Sequence, residues 1–279
     1  MTARGVTIGT LALLLSMLFP AHAQDQHRGA RPRGWPCEGK VDPVYVSGAE
    51  ATGGKVLLFQ PGEVGGVGAE MAASRRHPET VFRAALQLSE GVHEYDVPID
   101  STIESAYFFV SLQCLQITSI ARPSGEELRV EAPDVEAHNF AAVRLFTVQR
   151  PAPGAWRVRV EGQGQFSLIV TARTELKLSD VRFMDEGVPV KGAPKPGKPM
   201  VLEASMTGAA RGIAFQLVSS NAGTIQVLDL DVEKEAETRR TYAGAIVPPE
   251  TAFRVAMTGI DDKGFRFQRV QKELVNAIR

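Results

Sequence analysis

Within the stretch from residue 151 to 170, PAPGAWRVRVEGQGQFSLIV, apolar and polar residues alternate one by one over residues 156–161. Because successive side chains of a β-strand point to opposite faces, this period of two predicts a strand with one buried and one solvated face. We assign Trp156, Val158 and Val160 to the buried face, and the two arginines between them to the solvated face. Strands of this kind bury their apolar residues by packing two sheet faces together, which favours an all-β fold.

Two glycines interrupt this alternation. After Gly162-Gln-Gly164 the pattern resumes with Phe166 and Leu168. Glycine readily adopts the backbone conformations of tight turns, so we expect the chain to reverse here and form a hairpin. Trp156 and Phe166 would then lie side by side as a large apolar anchor of the core.

Short segments of the same kind recur along the first half of the chain, separated by Pro, Gly and Asp. This rhythm is typical of a β-sandwich or jelly roll. Residues 62–76 are rich in Gly and Ala and predict a loop or one short helix. The expected strands are 55–60, 80–88, 93–99, 105–113, 115–120, 141–148 and the two arms of the hairpin. Residues 80–88 also fit a helical stripe, through Val81, Phe82, Ala85 and Leu86, and we favour a strand there because the neighbouring segments are strands.

The second half begins around a segment rich in Pro and Gly, residues 189–199, which predicts a linker or an entry loop. Seven short strands in about 100 residues match an immunoglobulin-like sandwich in size and rhythm. We therefore predict two tandem β-sandwiches, the first over residues 44–178 and the second over 179–279. The expected strands of the second are 181–184, 200–206, 213–219, 224–232, 239–246, 253–259 and 265–273.

The N-terminus has the pattern of a cleavable signal peptide. Arg4 precedes an apolar run over residues 6–19, and Ala21 and Ala23 provide the small residues of a cleavage site. The run is shorter than the roughly 20 residues that span a bilayer. We expect residues 1–23 to be removed after Ala23, residues 24–43 to form a disordered or loosely attached arm, and the mature protein to be secreted or periplasmic without a membrane span.

The chain has two cysteines, Cys37 and Cys114. In an exported protein, two cysteines predict one disulfide, which would tie the N-terminal segment to a strand of the first sandwich. Neither cysteine has a second Cys or His at the spacing of a metal site.

Composition and motifs argue against several functions. The 31 basic and 32 acidic residues nearly balance, which does not suit a nucleic-acid partner. No Gly-x-Ser-x-Gly motif is present, and His93-Glu94 lacks the second histidine of a zinc motif. We predict no catalytic residue, metal site or cofactor, although the loop carboxylates at 134–136 and 180–186 remain possible calcium ligands. Asp261-Asp-Lys-Gly264 predicts a hairpin turn.

Several motifs, spread roughly over residues 85–275, resemble the segment that follows the von Willebrand A domain in hemicentins and related extracellular proteins. They are Gly154-Ala-Trp156-Arg-Val158, Gly162-Gln-Gly164-Gln-Phe166-Ser-Leu168, Val247-Pro248-Pro249-Glu-Thr-Ala-Phe253-Arg-Val255 and Gly259-Ile-Asp261-Asp-Lys-Gly264-Phe-Arg-Phe267-Gln268-Arg269-Val270. The resemblance implies a galactose-binding-like β-sandwich followed by an immunoglobulin-like one. It implies no metal or catalytic residue, because the Asp-x-Ser-x-Ser motif of the von Willebrand A domain is absent from the sequence. The framework residues that it implies are Gly154, Trp156, Val158, Gly164, Phe166, Pro248, Pro249, Phe253, Gly259, Asp261, Gly264, Phe267 and Arg269.

Taken together, these patterns predict an exported, non-catalytic interaction or structural module. Its partner would be an unknown protein or a component of the extracellular matrix or cell envelope. The alternative is a carbohydrate-binding module or the accessory domain of a secreted hydrolase. An enzyme with an unusual site is the third hypothesis, and it requires histidines and carboxylates that converge in a pocket.

Overall fold

A computed structural model describes residues 37, 41–63 and 65–276 of the chain. The expected signal peptide, its cleavage site and most of the N-terminal arm lie outside the described residues. Helix α1 (Pro43–Ala51) begins where the Asp42 side chain accepts a hydrogen bond from the Val44 amide at 2.9 Å, with proline in the first helical turn. Helix α2 (Gly66–Arg76) ends on two arginines that suit the negative end of its dipole.

The rest of the described chain is mostly strand, arranged in three antiparallel sheets. In the described part no helix has the length and apolar character needed to cross a membrane. The strands of the first half are β1 (Glu79–Ile99), β2 (Ile103–Ala121), β3 (Val135–Asn139), β4 (Val143–Gln149) and β5 (Gly154–Thr174). Those of the second half are β6 (Lys177–Asp185), β7 (Val188–Pro189), β8 (Met200–Thr207), β9 (Ala210–Val218), β10 (Thr224–Leu228), β11 (Asp231–Ala236), β12 (Arg239–Ile246), β13 (Arg254–Asp261) and β14 (Arg266–Val270).

The first half is one five-stranded sheet, in the order β1-β5-β2-β4-β3, that folds back on itself. In the strand register Phe108 lies opposite Val170, far along β5 from Trp156. The rings of Phe108 and Trp156 are nevertheless only 5.6 Å apart, and Tyr95 stacks on Phe166 at 5.1 Å. The two ends of the long strands therefore face each other across one core, and a single sheet builds a sandwich.

The prediction of a hairpin at Gly162-Gln-Gly164 is wrong, because strand β5 continues through both glycines and the chain does not reverse there. Their backbone φ angles are +145° and +102°, and the register slips nearby in β1 and β2, where residues bulge out of the ladder. Bulges and glycines with positive φ bend a strand sharply without ending it. The glycines thus fold the sheet at this point, and the strands expected at 80–88 and 93–99 join into β1, as those at 105–113 and 115–120 join into β2.

The strand expected at 55–60 is also wrong. These residues belong to no strand or helix of the described structure, and Val56, Leu57, Leu58 and Phe59 are all buried. They cover the face of the sheet that is opposite the main core, where they meet Tyr107, Phe109, Leu145 and Ile169. A continuous apolar run has no wet face, so it fits this position between layers better than a half-exposed strand.

The second half is a sandwich of two sheets, in the orders β10-β9-β13-β14 and β11-β12-β8-β6-β7. The strand expected at 224–232 is wrong in its length, because the chain leaves one sheet after Leu228 and enters the other at Asp231. The core between the sheets contains Leu202, Met206, Phe215, Leu217, Phe253, Val255, Met257 and Phe267. Both halves are therefore antiparallel β-sandwiches, as the period of two predicts.

Candidate functional site

The two halves meet along a junction. Backbone hydrogen bonds and side-chain ion pairs both cross it. The amide of Leu274 donates to the carbonyl of Glu50 at 2.8 Å, and the amide of Ala85 donates to the carbonyl of Ser220 at 2.7 Å. Strand β14 of the second half packs beside β1 of the first. In the described molecule, charged side chains are most deeply buried at this junction, which makes it the candidate site.

Glu50 of α1 pairs with two buried arginines, one from each half. Its Oε1 lies 2.6 Å from Nη2 of Arg83 in β1, and its Oε2 accepts from Nη2 of Arg254 in β13. The side chains of Arg83 and Arg254 are 1% and 0% exposed. Burial by itself raises the pKa of the Glu50 carboxyl, but the two guanidinium groups outweigh it and hold that pKa below its ordinary value.

A second buried ion pair crosses the junction nearby. Nη1 of Arg269 in β14 lies 2.8 Å from Oδ2 of Asp100, and both side chains are fully buried. The same guanidinium donates to Thr174 Oγ1 at 2.9 Å and to the Leu176 carbonyl at 2.8 Å. Arg269 therefore binds two residues of the first sheet region, Asp100 and Thr174, and the Leu176 carbonyl in the segment that leads into the second half.

Asp261 combines a local and a long-range role. Its Oδ1 accepts from the amides of Lys263 and Phe265 at 3.0 and 2.8 Å, which builds the tight turn between β13 and β14 that the sequence predicts. Its Oδ2 accepts from the amide of Ser101 at 2.7 Å, across the junction. Burial by itself raises the pKa of the Asp261 carboxyl, but the hydrogen bonds from these amides and from Ser101 hold it below its ordinary value.

The pKa of Asp261 gives a testable pH dependence. The unfolded chain takes up this proton first, so the stability that Asp261 provides is complete above about pH 4 and is lost as the pH falls through the lower folded value. We expect Asp261→Asn to lower the free energy of unfolding by about 1 to 3 kcal/mol at neutral pH and to flatten its decline in acid. Urea unfolding at a series of pH values measures both effects. Asp96→Asn, at an exposed carboxylate, is the control, and an equal acid slope in wild type and Asp261→Asn would contradict the assignment.

A groove of about 630 Å³ opens beside this turn, and residues of both halves line it. Asp96 and Arg266 are exposed, and Phe265 is partly exposed. Four of the framework residues line the groove, three of them glycines. The lining comprises Asp96, Pro98, Gly154 and Ala155 of the first half with Thr258, Gly259, Ile260, Gly264, Phe265, Arg266, Phe267 and Gln268 of the second.

The other framework residues lie in the cores, at the sheet bend and at the junction. Trp156, Val158, Phe166 and Phe253 are fully buried in the two cores. Gly164 lies at the bend of β5, and Arg269 lies in the buried ion pair described above. Pro248 is buried and its carbonyl accepts from the Gly197 amide at 2.9 Å, whereas Pro249 is partly exposed.

The disulfide between Cys37 and Cys114 is confirmed, with a Cα–Cα distance of 4.9 Å. Cys114 lies opposite Gln163, next to the bend of β5. The disulfide therefore ties residue 37 to the point where the first sheet folds over.

A Ser–His pair is present, but it is buried. The Ala73 carbonyl, 2.6 Å from Nδ1 of His77, can only accept, so Nδ1 carries the proton and Nε2 accepts from Ser105 Oγ at 2.9 Å. This is the tautomer of a serine nucleophile with its base, yet Ser105 and His77 are only 6% and 3% exposed. Burial lowers the pKa of His77, and the pair is explained as a satisfied hydrogen bond under α2.

The structure does not bring the loop carboxylates together as a metal site. Asp134 pairs with Arg122 at 2.8 Å, and Asp180 pairs with Arg239. Within residues 41–63 and 65–276, together with residue 37, no group of three or more His, Cys, Asp or Glu is placed to hold a metal ion.

Comparisons with known proteins give one sequence similarity. No protein-family model matches the chain. Mouse hemicentin-1 is 21% identical over 250 residues, which cover 84% of this chain but only 4% of the length of hemicentin-1.

Solved structures with distant similarity include two bacterial enzymes. A Bacillus licheniformis lipase in its propeptide form has 11% identity and a TM-score of 0.32, and the match covers 68% of this chain and 40% of the lipase. A Bifidobacterium dentium β-glucuronidase has 8% identity and a TM-score of 0.22, over 64% of this chain and 38% of the enzyme. Scores this low carry no argument, so the comparison that bears on this chain is the one with hemicentin-1, which suggests an extracellular β-domain.

Proposed function

We propose that the chain is an exported, non-catalytic interaction or structural module that binds a protein or a component of the extracellular matrix or cell envelope. In this proposal a galactose-binding-like sandwich over residues 44–178 precedes an immunoglobulin-like one over 179–279. The alignment with hemicentin-1 over 84% of the chain supports it. The disulfide supports export, because disulfides persist mainly outside the cytoplasm.

The junction is the observation that carries the proposal. Glu50 joins an arginine of each half, Arg269 joins Asp100, and Asp261 joins Ser101. Buried ion pairs need strict geometry, so they fix the orientation of the two sandwiches rather than add much net stability. A fixed orientation lowers the entropy that a surface made from both halves loses on binding.

The groove is the surface that such an orientation would preorganise. Gly264 has no side chain, and nothing lies within 4 Å of the place where a Cβ would stand, so a partner's backbone can approach the groove closely there. Phe265 offers apolar area, and Asp96 and Arg266 offer one charge of each sign at its rim. A cleft with apolar lining, exposed backbone and a few charges suits a protein segment.

Reversing the charge of Arg266, the basic residue at the rim of the groove, tests this function. We expect Arg266→Glu to weaken binding of the exported chain to its partner about tenfold or more, equivalent to about 1.4 kcal/mol. The chain is immobilised, proteins of the extracellular and envelope fractions are captured and quantified, and the captured protein is then titrated. Lys234→Glu makes the same charge change on the exposed edge strand β11 of the other sheet and should bind like wild type.

The same preparations separate the competing functions. Retention on a glycan array without protein capture would favour the carbohydrate-binding alternative. Turnover of an ester, peptide or glycoside substrate that is lost in Ser105→Ala would overturn the non-catalytic proposal. Equal capture by Arg266→Glu and Lys234→Glu would show that the groove does not bind the partner.

A further inference from the structure

Helix α2 has a sequence that forms a helix only weakly. It follows Gly65, which has no side chain to cap the free amides, and its first turn contains two more glycines and no acidic residue. Capping side chains and acidic residues stabilise the start of a helix, whereas glycine destabilises it. An isolated helix of 11 residues is marginal in water, so α2 depends on the contacts that it makes with the rest of the protein.

The described contacts of α2 are mainly polar. Nζ of Lys55 donates to Glu70 Oε1 and to Ser74 Oγ, each at 2.7 Å, and Lys55 and Glu70 are only 9% and 2% exposed. Of the α2 side chains that the structure describes, Ala73 is the apolar one that joins a buried cluster. Polar groups exchange their partners for water when a contact opens, so such contacts contribute little net stability.

The sheet surface below α2 contains two buried hydroxyl groups without a hydrogen-bond partner. The ring of Tyr107 in β2 lies 4.8 Å from Nζ of Lys55, and Thr171 of β5 is opposite Tyr107 in the strand register. Among the described atoms, Tyr107 Oη and Thr171 Oγ1 are both buried and unpaired. Water would satisfy both hydroxyl groups, so their hydration offsets part of the free energy that lifting α2 requires.

His77 follows α2 directly and is buried with it. Its backbone amide donates to the Ala73 carbonyl at 3.2 Å, and its ring lies 5.8 Å from the ring of Tyr107. Both ring nitrogens have partners inside the protein, since Nδ1 donates to the Ala73 carbonyl and Nε2 accepts from Ser105 Oγ. The imidazole is therefore neutral in the closed structure and is hydrated only when α2 lifts away.

Positive charges face His77 from every element that surrounds it. They are those of Arg76 on α2, Lys55 in the segment before the helix and Arg173 on β5. Glu70 and Glu104 balance two of them in part, through the ion pairs Lys55–Glu70 and Arg173–Glu104. Burial, together with these charges, outweighs the hydrogen bond to the Ala73 carbonyl and holds the pKa of His77 below its ordinary value.

We propose that α2 is a lid that opens as the surroundings become mildly acidic, when His77 takes up a proton. In the open form the ring is hydrated and binds the proton at its ordinary pKa of about 6.5, whereas the closed form binds it only at lower pH. The closed lid therefore has its full stability above about pH 6.5 and loses it as the pH falls toward the lower value.

The chain on each side of α2 is anchored, so the helix can lift while the sheet stays folded. Glu63 Oε1 accepts from the Ala141 amide at 2.8 Å before the helix, and β1 begins at Glu79 after it. Opening uncovers Lys55 and Tyr107, which the closed lid hides from solvent. The lid goes beyond the proposed function and does not depend on it, because none of the residues that line the groove belongs to α2.

Hydrogen exchange of the whole chain at pH 7.5 and pH 5.5 tests the lid. After correction for intrinsic exchange rates, we expect the opening constant of the amides of residues 70–77 to rise about tenfold, as the uptake of one proton at a pKa of about 6.5 requires over this range. At both pH values these amides should exchange faster than those of residues 166–170, because the sheet remains folded when α2 opens.

A pair of histidine variants tests the trigger. His77→Gln cannot take up the proton, so its opening constant should not change between the two pH values. His93→Gln is the matched control, because His93 contacts the Ser89 carbonyl at 3.0 Å on the surface of β1, and it should keep the tenfold rise. A rise that persists in His77→Gln would overturn the proposal. So would a constant value in wild type, or wild-type α2 amides that exchange as slowly as those of residues 166–170, and these two outcomes need no variant to fold.

Discussion

Replacing Glu50 with alanine should lower the free energy of unfolding by about 3 to 5 kcal/mol, because it leaves two guanidinium groups buried without their counter-charge. Arg83 and Arg254 are almost fully buried, and Glu50 lies between them. Among the described groups, Arg83 Nε and Arg254 Nη1 already lack a hydrogen-bond partner, so the carboxylate provides much of the compensation for burying this pair. Urea unfolding followed by circular dichroism measures the loss.

The matched control for Glu50→Ala is Glu104→Ala. Glu104 also pairs with an arginine, Arg173 at 2.8 Å, but the two side chains are 57% and 68% exposed. Exposed ion pairs contribute about 1 kcal/mol or less, so this variant should be nearly neutral. Equal losses in the two variants would show that burial of the junction does not determine the effect.

Glu50→Ala should also change the shape of the unfolding curve. Glu50 links the halves through Arg254, and without that link the two sandwiches should unfold less cooperatively. Two transitions, or transitions that differ between tryptophan fluorescence and circular dichroism, are the expected signs. A single sharp transition at lower urea would mean that the remaining contacts of the junction suffice to couple the halves.

The alternation of side chains could be predicted from the sequence because it is local. Trp156, Val158 and Val160 are fully buried, and Arg157 between them is exposed, as a period of two requires. The same local pattern does not distinguish a strand that reverses at a pair of glycines from one that bends there, since the side chains beyond resume the same alternation in both cases. That distinction depends on pairing with β1 and β2, which involves residues far away in the chain.

The buried arginines could not be predicted by the rule that charges mark the solvated face. Phe253, Arg254 and Val255 are all fully buried, because one face of β13 lies in the core and the other meets the first half. The partner of Arg254 lies at Glu50, at the other end of the sequence. The one available signal is a single arginine inside an otherwise apolar strand, as in residues 253–257 and 80–86. An arginine in this position indicates a buried carboxylate partner, but the sequence does not identify which carboxylate it is.

Replacing Gly162 with alanine should be at least as damaging as Glu50→Ala, with an expected loss above about 4 kcal/mol or a failure to fold. A methyl group at this position would overlap the backbone carbonyl oxygen of Cys114 and lie 2.9 Å from Leu112 Cδ2. The φ angle of +145° adds strain of about 1 to 3 kcal/mol for any residue with a side chain. The carbonyl belongs to the strand paired with Gly162, so it cannot move away as a flexible side chain would.

Gly91 provides a control that separates backbone strain from steric overlap. It lies opposite Gly162 in the strand register and has nearly the same φ angle, +144°, but a methyl group there meets nothing within 4 Å. Gly91→Ala should therefore lose only the strain, about 1 to 3 kcal/mol, and the difference between the two variants should give the cost of the overlap. The soluble yield and the urea unfolding midpoint of each variant measure its loss of stability. If the two variants lose the same stability, the close approach of β5 to Cys114 is not what folds this sheet, and the bend must come from the bulges in β1 and β2 alone.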